Sequence, residues 1–179
     1  MAERLPPPRG ALLALVLAAC GAATTITHPF EGNVPRAYPD IVYGWKLPTA
    51  CRGHTGQTPD GRPLAPGMTF TPAECDEMER ADLTKTFDGL RPCIGDAALL
   101  KLNANQLGAM LSLGYNLGAG AVCRSSIPSK LRAGNVAGAC ATIAEFHWAG
   151  GKDCNDPANK CGGIPRRRGA ETALCKTPV

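Results

Sequence analysis

The chain has 179 residues, of which 44% are hydrophobic, so one domain with a sizeable core is expected and wholesale disorder is excluded. Its formal net charge of +4 is mild, and no run of Lys and Arg is interleaved with aromatics, which argues against nucleic-acid binding. A weakly basic surface does suit an anionic polymer such as a bacterial cell wall.

The first predicted element is an apolar segment at the N-terminus. Two arginines in MAERLPPPRG precede seventeen uncharged residues, ALLALVLAACGAATTIT, and this pattern predicts an export segment over residues 1–27. Its Ala, Gly and Thr content makes it weakly hydrophobic for a permanent membrane anchor. Three fates stay open: cleavage near Ala23, lipidation at Cys20, or a span that later leaves the bilayer. The plain alternative is a buried N-terminal helix of the domain.

The remaining residues, 28–179, are expected to form one domain with two parts. Gly and Pro are dense in EGNVPRAYPDIVYGWKLPTACRGHTG, which also holds three of the nine aromatic residues of the chain. Such a mixture is more typical of a cleft than of a core. We therefore expect a small lobe of turns and short strands over 28–70 and a helical lobe over 71–179.

Helix signals dominate the second part. Thr71 begins a capping box in TPAECDEMERADLTKTF, and NANQLGAMLSLGYNLG has apolar residues at helical spacing, which predicts the central core helix. SSIPSKLRAG predicts a short helix that stops at Gly134. NVAGACATIAEFHWAGG predicts a helix from Asn135 to Gly150, and IPRRRGAETALC predicts a last helix from Pro165. The fold class is therefore α+β, and mainly α.

The cysteines indicate disulfides and not a metal site. The nine are scattered, at positions 20, 51, 75, 93, 123, 140, 154, 161 and 175. No C-x2-C pair occurs and the three histidines do not lie at ligand spacing from cysteines, so neither a metal nor a cofactor is predicted. A disulfide framework in an oxidising compartment is the simpler account. Cys154 and Cys161, which close CNDPANKC, form the one locally obvious pair, and Cys20 is left over.

Two acids in the small lobe are candidates for glycosidic chemistry. Cleavage of a glycosidic bond needs a proton donor for the leaving oxygen and a second carboxylate across the sugar. Glu31 and Asp40 are separated by Pro35 and Pro39, so they cannot share one continuous helix face. A bend would place them on opposite walls of a groove. The plainer interpretation is a pair of solvated loop acids.

The order EG, AYPD, PTAC, GHTG, then NQLGAMLSLGYNLG and finally WAGGK and GGIPRRRGAETALC resembles the phage-type lysozymes of glycoside hydrolase family 24, in particular exported endolysins. The resemblance covers about residues 28–176. It implies a lysozyme-like fold with the cleft between the two lobes, and hydrolysis of the β-1,4 bond between N-acetylmuramic acid and N-acetylglucosamine in peptidoglycan, for host lysis. It further implies a monomer that is exported to the periplasm and has no cofactor. The N-terminal segment either tethers this monomer to the inner membrane at first, before its release, or acts as a signal peptide for secretion.

The resemblance also assigns residue roles. Glu31 would be the general acid, and Asp40 and Thr49 would hold the attacking water, which implies inversion. Between Asp40 and Thr49 the chain is a few residues longer than common relatives, so Thr55 is the alternative to Thr49. His54 and Thr55 are otherwise expected to support the hairpin.

Other residues lie around these in the sequence motifs. Among the arginines at 166–168 we select Arg167 as the residue expected to support Glu31. Arg52 stands where relatives often have an aromatic, and the loop 152–161 is an insertion. After release, Cys20 would be able to exchange into a disulfide with Cys51.

Other function classes stay open at this point. A lytic transglycosylase needs an acid but no water-activating partner. A non-catalytic peptidoglycan-binding protein has no use for both acids, and a secreted disulfide-rich inhibitor or toxin leaves the order of Glu, Asp and Thr unexplained.

Overall fold

A computed structural model of the protein describes residues 9–178; the first residues of the predicted export segment lie outside this range. The helices are α1 Arg9–Glu31, α2 Pro72–Ile94, α3 Asp96–Leu99, α4 Ala104–Leu117, α5 Ala119–Arg124, α6 Ile127–Arg132, α7 Val136–Thr142 and α8 Gly163–Lys176. The strands are β1 Val34–Asp40, β2 Gly44–Cys51, β3 His54–Thr55, β4 Trp148–Ala149 and β5 Lys152–Asp153. The first three form an antiparallel sheet in chain order and the last two form a hairpin. The predicted class, α+β and mainly α, is confirmed.

The apolar N-terminal segment is the first helix of the folded body. α1 runs through the expected boundary after Thr27 and ends at Glu31. It packs along α4, where a Cβ added to Gly108 would lie 2.8 Å from the Ala22 Cβ and 2.9 Å from the Ala19 carbonyl oxygen, so glycine permits this close approach. The plain alternative, a buried helix of the domain, describes this folded state, in which residues 10–27 are not separate from the rest.

α1 has a second property, which follows from its length and composition. Among the described residues it is the one helix long and apolar enough to cross a membrane, over 22 residues from Gly10 to Glu31. The residues of its inner face are buried in the core: Val16, Ala19, Cys20, Ala23, Ile26 and Thr27. The same helix is thus long and apolar enough to cross a membrane and is also packed into the core.

The two strongest helix predictions are confirmed. At the start of α2 the Thr71 hydroxyl accepts from the Glu74 amide at 3.3 Å, and the Glu74 carboxylate accepts from the Thr71 amide at 2.7 Å. α4 begins with a second capping box, formed by Asn103 and Gln106. Every residue of α4 from 107 to 114 is buried, so α4 is the central core helix.

The predicted helix from Asn135 to Gly150 is wrong in its second half. α7 ends at Thr142, a short 3-10 turn follows over Ile143–Glu145, and β4 then pairs with β5. Gly150 and Gly151 both have positive φ, 55° and 76°, and they form the two-residue turn of this hairpin. Two consecutive glycines of this kind are a hairpin signal, and this signal prevails over the helical spacing of the residues before it.

Four disulfides tie the elements together: Cys51 to Cys75, Cys93 to Cys123, Cys140 to Cys175 and Cys154 to Cys161. The last is the predicted local pair. Cys20 is the free cysteine among the described residues and is buried in α1. Its expected exchange partner, Cys51, is bonded to Cys75 in this state.

Candidate active site

Glu31, the last residue of α1, lies at the wall of a cleft of about 420 Å³. Thr55, Tyr115 and Asn116 line the same cleft. The Glu31 side chain is 23% exposed and its Oε1 accepts a hydrogen bond from Arg167 Nη1. The arginine selected from the 166–168 cluster is therefore the one that contacts Glu31, and the carboxylate is both oriented and accessible.

Arg167 belongs to a buried ionic cluster between α4 and α8, formed by Arg167, Arg168, Glu171 and Ser112. Its Nε lies 3.2 Å from Glu171 Oε1, and its Nη2 donates to the Ser112 carbonyl at 3.4 Å. The Phe30 ring lies 5.9 Å from its Cζ, a cation–π distance. Three separate contacts thus fix the guanidinium before any substrate is present.

Glu171 is the acidic residue of this buried ionic cluster and is itself fully buried. It accepts from the Ser112 hydroxyl at 2.7 Å, and Arg168 Nη1 lies 2.8 Å from its other oxygen. Burial raises the pKa of the Glu171 carboxyl, whereas Arg168, Ser112 and Arg167 act in the opposite direction. Glu171 therefore faces both Arg167 and Arg168 inside the protein.

Asp40 is held in a different way, by its own turn. It is the last residue of β1, and its Oδ1 accepts from the amides of Val42 and Tyr43, both at 2.8 Å. The amide of Tyr43, followed by that of Val42, holds the pKa of the Asp40 carboxyl below its usual range. Asp40 is therefore ionised at neutral pH, next to a hairpin tip at which Ile41 is 99% exposed.

The sheet places Tyr38, Thr49 and Thr55 on one face, because Thr49 is directly opposite Tyr38 in β1 and Thr55 in β3. Burial raises the pKa of the Tyr38 hydroxyl, and the charges of Asp40 and Glu31 raise it further. Tyr38 thus lies within the electrostatic reach of both acids.

The two threonines differ in their surroundings. Thr49 is 6% exposed, and its hydroxyl donates to the Leu47 carbonyl at 3.3 Å. Thr55 is exposed and lines the cleft beside Glu31. Thr55 is therefore the threonine that lines the cleft of Glu31, whereas Thr49 is buried opposite Tyr38 on the same face of the sheet.

His54 joins β3 to α2. Its Nδ1 lies 2.8 Å from Asp82 Oδ2, and its Nε2 donates to the Gln57 carbonyl at 2.9 Å. Burial alone would lower the pKa of His54, but the hydrogen bond and charge of Asp82 outweigh burial, so the pKa lies above its usual value. Both ring nitrogens are engaged, which suits a brace for the hairpin.

A second ionic group lies near the start of the last turn of α1. His28, Asp76 and Glu79 have ligand atoms within 4.8 Å of one another, a spacing that a metal ion would accept. Arg52 Nη1, however, lies 2.8 Å from Asp76 Oδ1 and 2.9 Å from Glu79 Oε2. Because a guanidinium already pairs with both carboxylates, these residues do not fit a metal site.

Sequence reasoning missed Glu171 and Glu79. For Glu171 a signal was present, since it follows Arg167 by four residues and so lies on the same helix face. For Glu79 no local signal exists, because its partners come from α1 and from the turn after β2.

Three comparisons place the chain among known proteins. Residues 28–171 match the family model described as phage lysozyme. The chain is 34% identical over 169 residues to a SAR-endolysin of Escherichia phage 933W, with 92% of this chain and 90% of that protein covered. It is 33% identical over 174 residues to a probable prophage lysozyme of Escherichia coli strain K12, with 93% of each covered. A crystal structure of a phage P22 lysozyme mutant matches it with a TM-score of 0.71 and 31% identity, over 87% of this chain and 95% of that chain.

Proposed function

Because this chain belongs to the phage lysozyme family and is a glycoside hydrolase that degrades peptidoglycan, we propose that Glu31 is its general acid and that Asp40 and Thr49 hold the attacking water. The family predicted from the ordered motifs is confirmed. The observation that supports the proposed roles is the position of Glu31. Its side chain is partly exposed on the wall of the cleft and is oriented by Arg167, which belongs to the buried ionic cluster.

In the proposed reaction, the Glu31 carboxyl transfers its proton to the glycosidic oxygen as the bond from that oxygen to C1 of N-acetylmuramic acid breaks. A water molecule attacks C1 from the opposite face, and its proton passes to Asp40, so the configuration at C1 inverts. Both turn amides bind Asp40 Oδ1, so we assign Oδ2 to the water. Arg167 acts as a positioning residue, since it fixes the direction in which Glu31 points.

The test is a comparison of Glu31→Gln with wild type on purified peptidoglycan, with Glu145→Gln as the matched control. Glu145 is exposed and lies outside the cleft. Glutamine keeps an acceptor for Arg167 but has no transferable proton, so we expect the release of reducing ends to fall by about 10²- to 10⁴-fold. Glu145→Gln should match wild type. Wild-type activity of Glu31→Gln would refute the assignment, and anhydro-sugar products would identify a lytic transglycosylase.

We further propose that the chain is exported and that residues 10–27 serve first as a membrane span and later as the first part of α1. The apolar helix runs for 22 residues, from Gly10 to Glu31; the part from 10 to 27 is about 27 Å long at 1.5 Å per residue, near the lower limit for the hydrocarbon core of a bilayer. Cleavage near Ala23 or a chain that begins at Cys20 would remove Val16 and Ala19 from the core. Release of the intact segment keeps them, and a relative named a SAR-endolysin agrees with it.

N-terminal sequencing of the periplasmic protein distinguishes these fates. An intact N-terminus on a soluble, active protein is the expected result. A chain that begins at a lipid-modified Cys20, or just after Ala23, would contradict release.

A further inference from the structure

Glu79, in the second turn of α2, is a buried carboxylate that the proposed reaction does not use. Its side chain is 1% exposed. Oε1 accepts a hydrogen bond from the Thr27 hydroxyl, and Oε2 lies 2.8 Å from His28 Nε2 and 2.9 Å from Arg52 Nη1. A carboxylate this deeply buried is stable only with partners of this kind. Thr27 and His28, which supply two of them, belong to α1.

These contacts join α1 to two other parts of the molecule. Arg52 lies in the turn after β2, and its guanidinium also bonds to Asp76 at 2.8 Å. Its carbonyl accepts from the Tyr115 hydroxyl of α4 at 2.6 Å. The arginine is 8% exposed and thus held from both ends. Glu79 therefore attaches α1 to a point that is itself rigid.

The position of this attachment along α1 gives it a catalytic consequence. Thr27 and His28 precede Glu31 by four and three residues, which is one helical turn. Pro29 lies within this turn, but Thr27, His28 and Glu31 belong to one helix, so a rotation or a shift of α1 at Thr27 also displaces Glu31. Misplacement of a reacting group by about 1 Å costs about 100-fold in rate.

The buried Glu79 carboxylate needs the contacts from α1 because Arg52 does not serve it alone. Arg52 is a single cation that faces two carboxylates, Asp76 and Glu79. Without Thr27 and His28, the buried Glu79 would keep only its share of Arg52. Docking of α1 thus completes the hydrogen bonding of Glu79, and the same contacts set the rotation of the helix.

We propose that Glu79 is a positioning residue for Glu31, the group that couples docking of the first helix to the placement of the general acid. This inference rests on the proposed role of Glu31. It assigns Thr27 a function that the neighbouring threonines of α1 lack. The Thr25 hydroxyl, for example, donates to the Ala22 carbonyl within its own helix at 2.7 Å and is exposed.

The experiment compares Thr27→Val with Thr25→Val in the full chain on purified peptidoglycan. Both changes replace one β-branched residue with another, so helix propensity is nearly unchanged. For Thr27→Val we expect kcat to fall about tenfold or more with KM within about twofold, since positioning and not substrate binding is lost. Thr25→Val should keep wild-type values. Circular dichroism verifies that both variants are fully folded at the assay temperature.

A double-mutant cycle then tests whether Thr27 acts through Glu79. In a Glu79→Leu background, Thr27→Val should lower kcat no further, because the acceptor is gone. If Glu79→Leu does not fold, the same cycle is run with Glu79→Gln, which preserves shape, and the effect of Thr27→Val should again differ from that in wild type. Additive effects in the cycle would overturn the inference, as would a wild-type kcat for Thr27→Val or a change confined to KM.

Glu31→Gln in the same series separates the two levels of the argument. An active Glu31→Gln would refute the catalytic assignment on which the inference rests. An inactive Glu31→Gln beside a fully active Thr27→Val would refute the role of Glu79 alone.

Discussion

The two carboxylates assigned to catalysis are held in place by opposite means. Glu31 ends a helix whose last turns are attached to α2 through Glu79, and its carboxylate is bound by Arg167, 136 residues away in sequence. Asp40 is bound by the amides of residues two and three positions later in its own turn. One proposed catalytic acid is thus held by long-range buried contacts, and the other by a local hairpin.

Asp40 and Glu31 therefore depend on different contacts for their positions. The Asp40 turn needs only the hairpin to form. The position of Glu31 needs α1 packed on α4, Arg167 held by Glu171 and Thr27 bound to Glu79. Activity should therefore respond to damage in the core through Glu31, whereas damage at the hairpin should change activity without changing stability.

The largest expected effect is at Asp40. Asp40→Asn removes the carboxylate that we propose takes up a proton from water, so kcat should fall by about 10²- to 10⁴-fold, while the thermal unfolding midpoint stays near that of wild type. Asp60→Asn is the matched control, because Asp60 is also an exposed turn aspartate, bound by Thr58 and Arg62. A large loss of folding in Asp40→Asn alone would show that the hairpin is coupled to the core.

Glu171→Gln should give the largest loss of stability. It leaves Arg167 and Arg168 buried without their shared counter-charge, which typically costs about 3–5 kcal/mol of unfolding free energy. Urea unfolding measures this, with Glu145→Gln as the exposed control. Activity should also fall, since Arg167 no longer holds Glu31. If the variant were as stable as wild type, the contacts with Glu171 would not be what holds Arg167 in place.

The disulfides extend the comparison to the whole molecule. Cys140 and Cys175 enclose a 35-residue separation between α7 and α8, whereas Cys154 and Cys161 close one of 7 residues. From loop entropy, replacing the first pair with alanines should cost about 4 kcal/mol and the second about 2 kcal/mol. Chemical denaturation of the two double variants gives the order. A costlier loss at the short surface loop would contradict it.

The smallest effect concerns pH. The pKa of His54 in the folded state is raised above its ordinary value of 6.5 by Asp82. The pair therefore contributes its full stability below that value, and the contribution is lost as the pH rises through the raised pKa. Asp82→Asn should destabilise the protein more at about pH 5 than at about pH 9. Equal destabilisation at both values would mean that the pair does not titrate on unfolding.

The same division explains what the sequence predicted. The capping box at Thr71, the bridge between Cys154 and Cys161 and the turn signals of the small lobe are local, and the residues that form them stand close together in the chain. The Glu79 contacts join residues 52 positions apart, and periodicity or capping rules carry no information about such pairs. Selection of Arg167 came from the family resemblance and not from spacing. The helix expected from Asn135 to Gly150 was wrong in its second half because Gly150 was taken as a helix stop, whereas it forms a hairpin turn with Gly151.

Residue-level hydrogen exchange tests the difference between the two sides most directly. The amides of Thr27 and His28 should exchange only with global unfolding, at the free energy measured in urea. The amides of Val42 and Tyr43, bonded to Asp40 alone, should open locally and exchange at least about 100-fold faster. Equal protection of the two pairs of amides, or slower exchange in the turn, would contradict the conclusion that Glu31 is held by contacts in the core and Asp40 by its own turn.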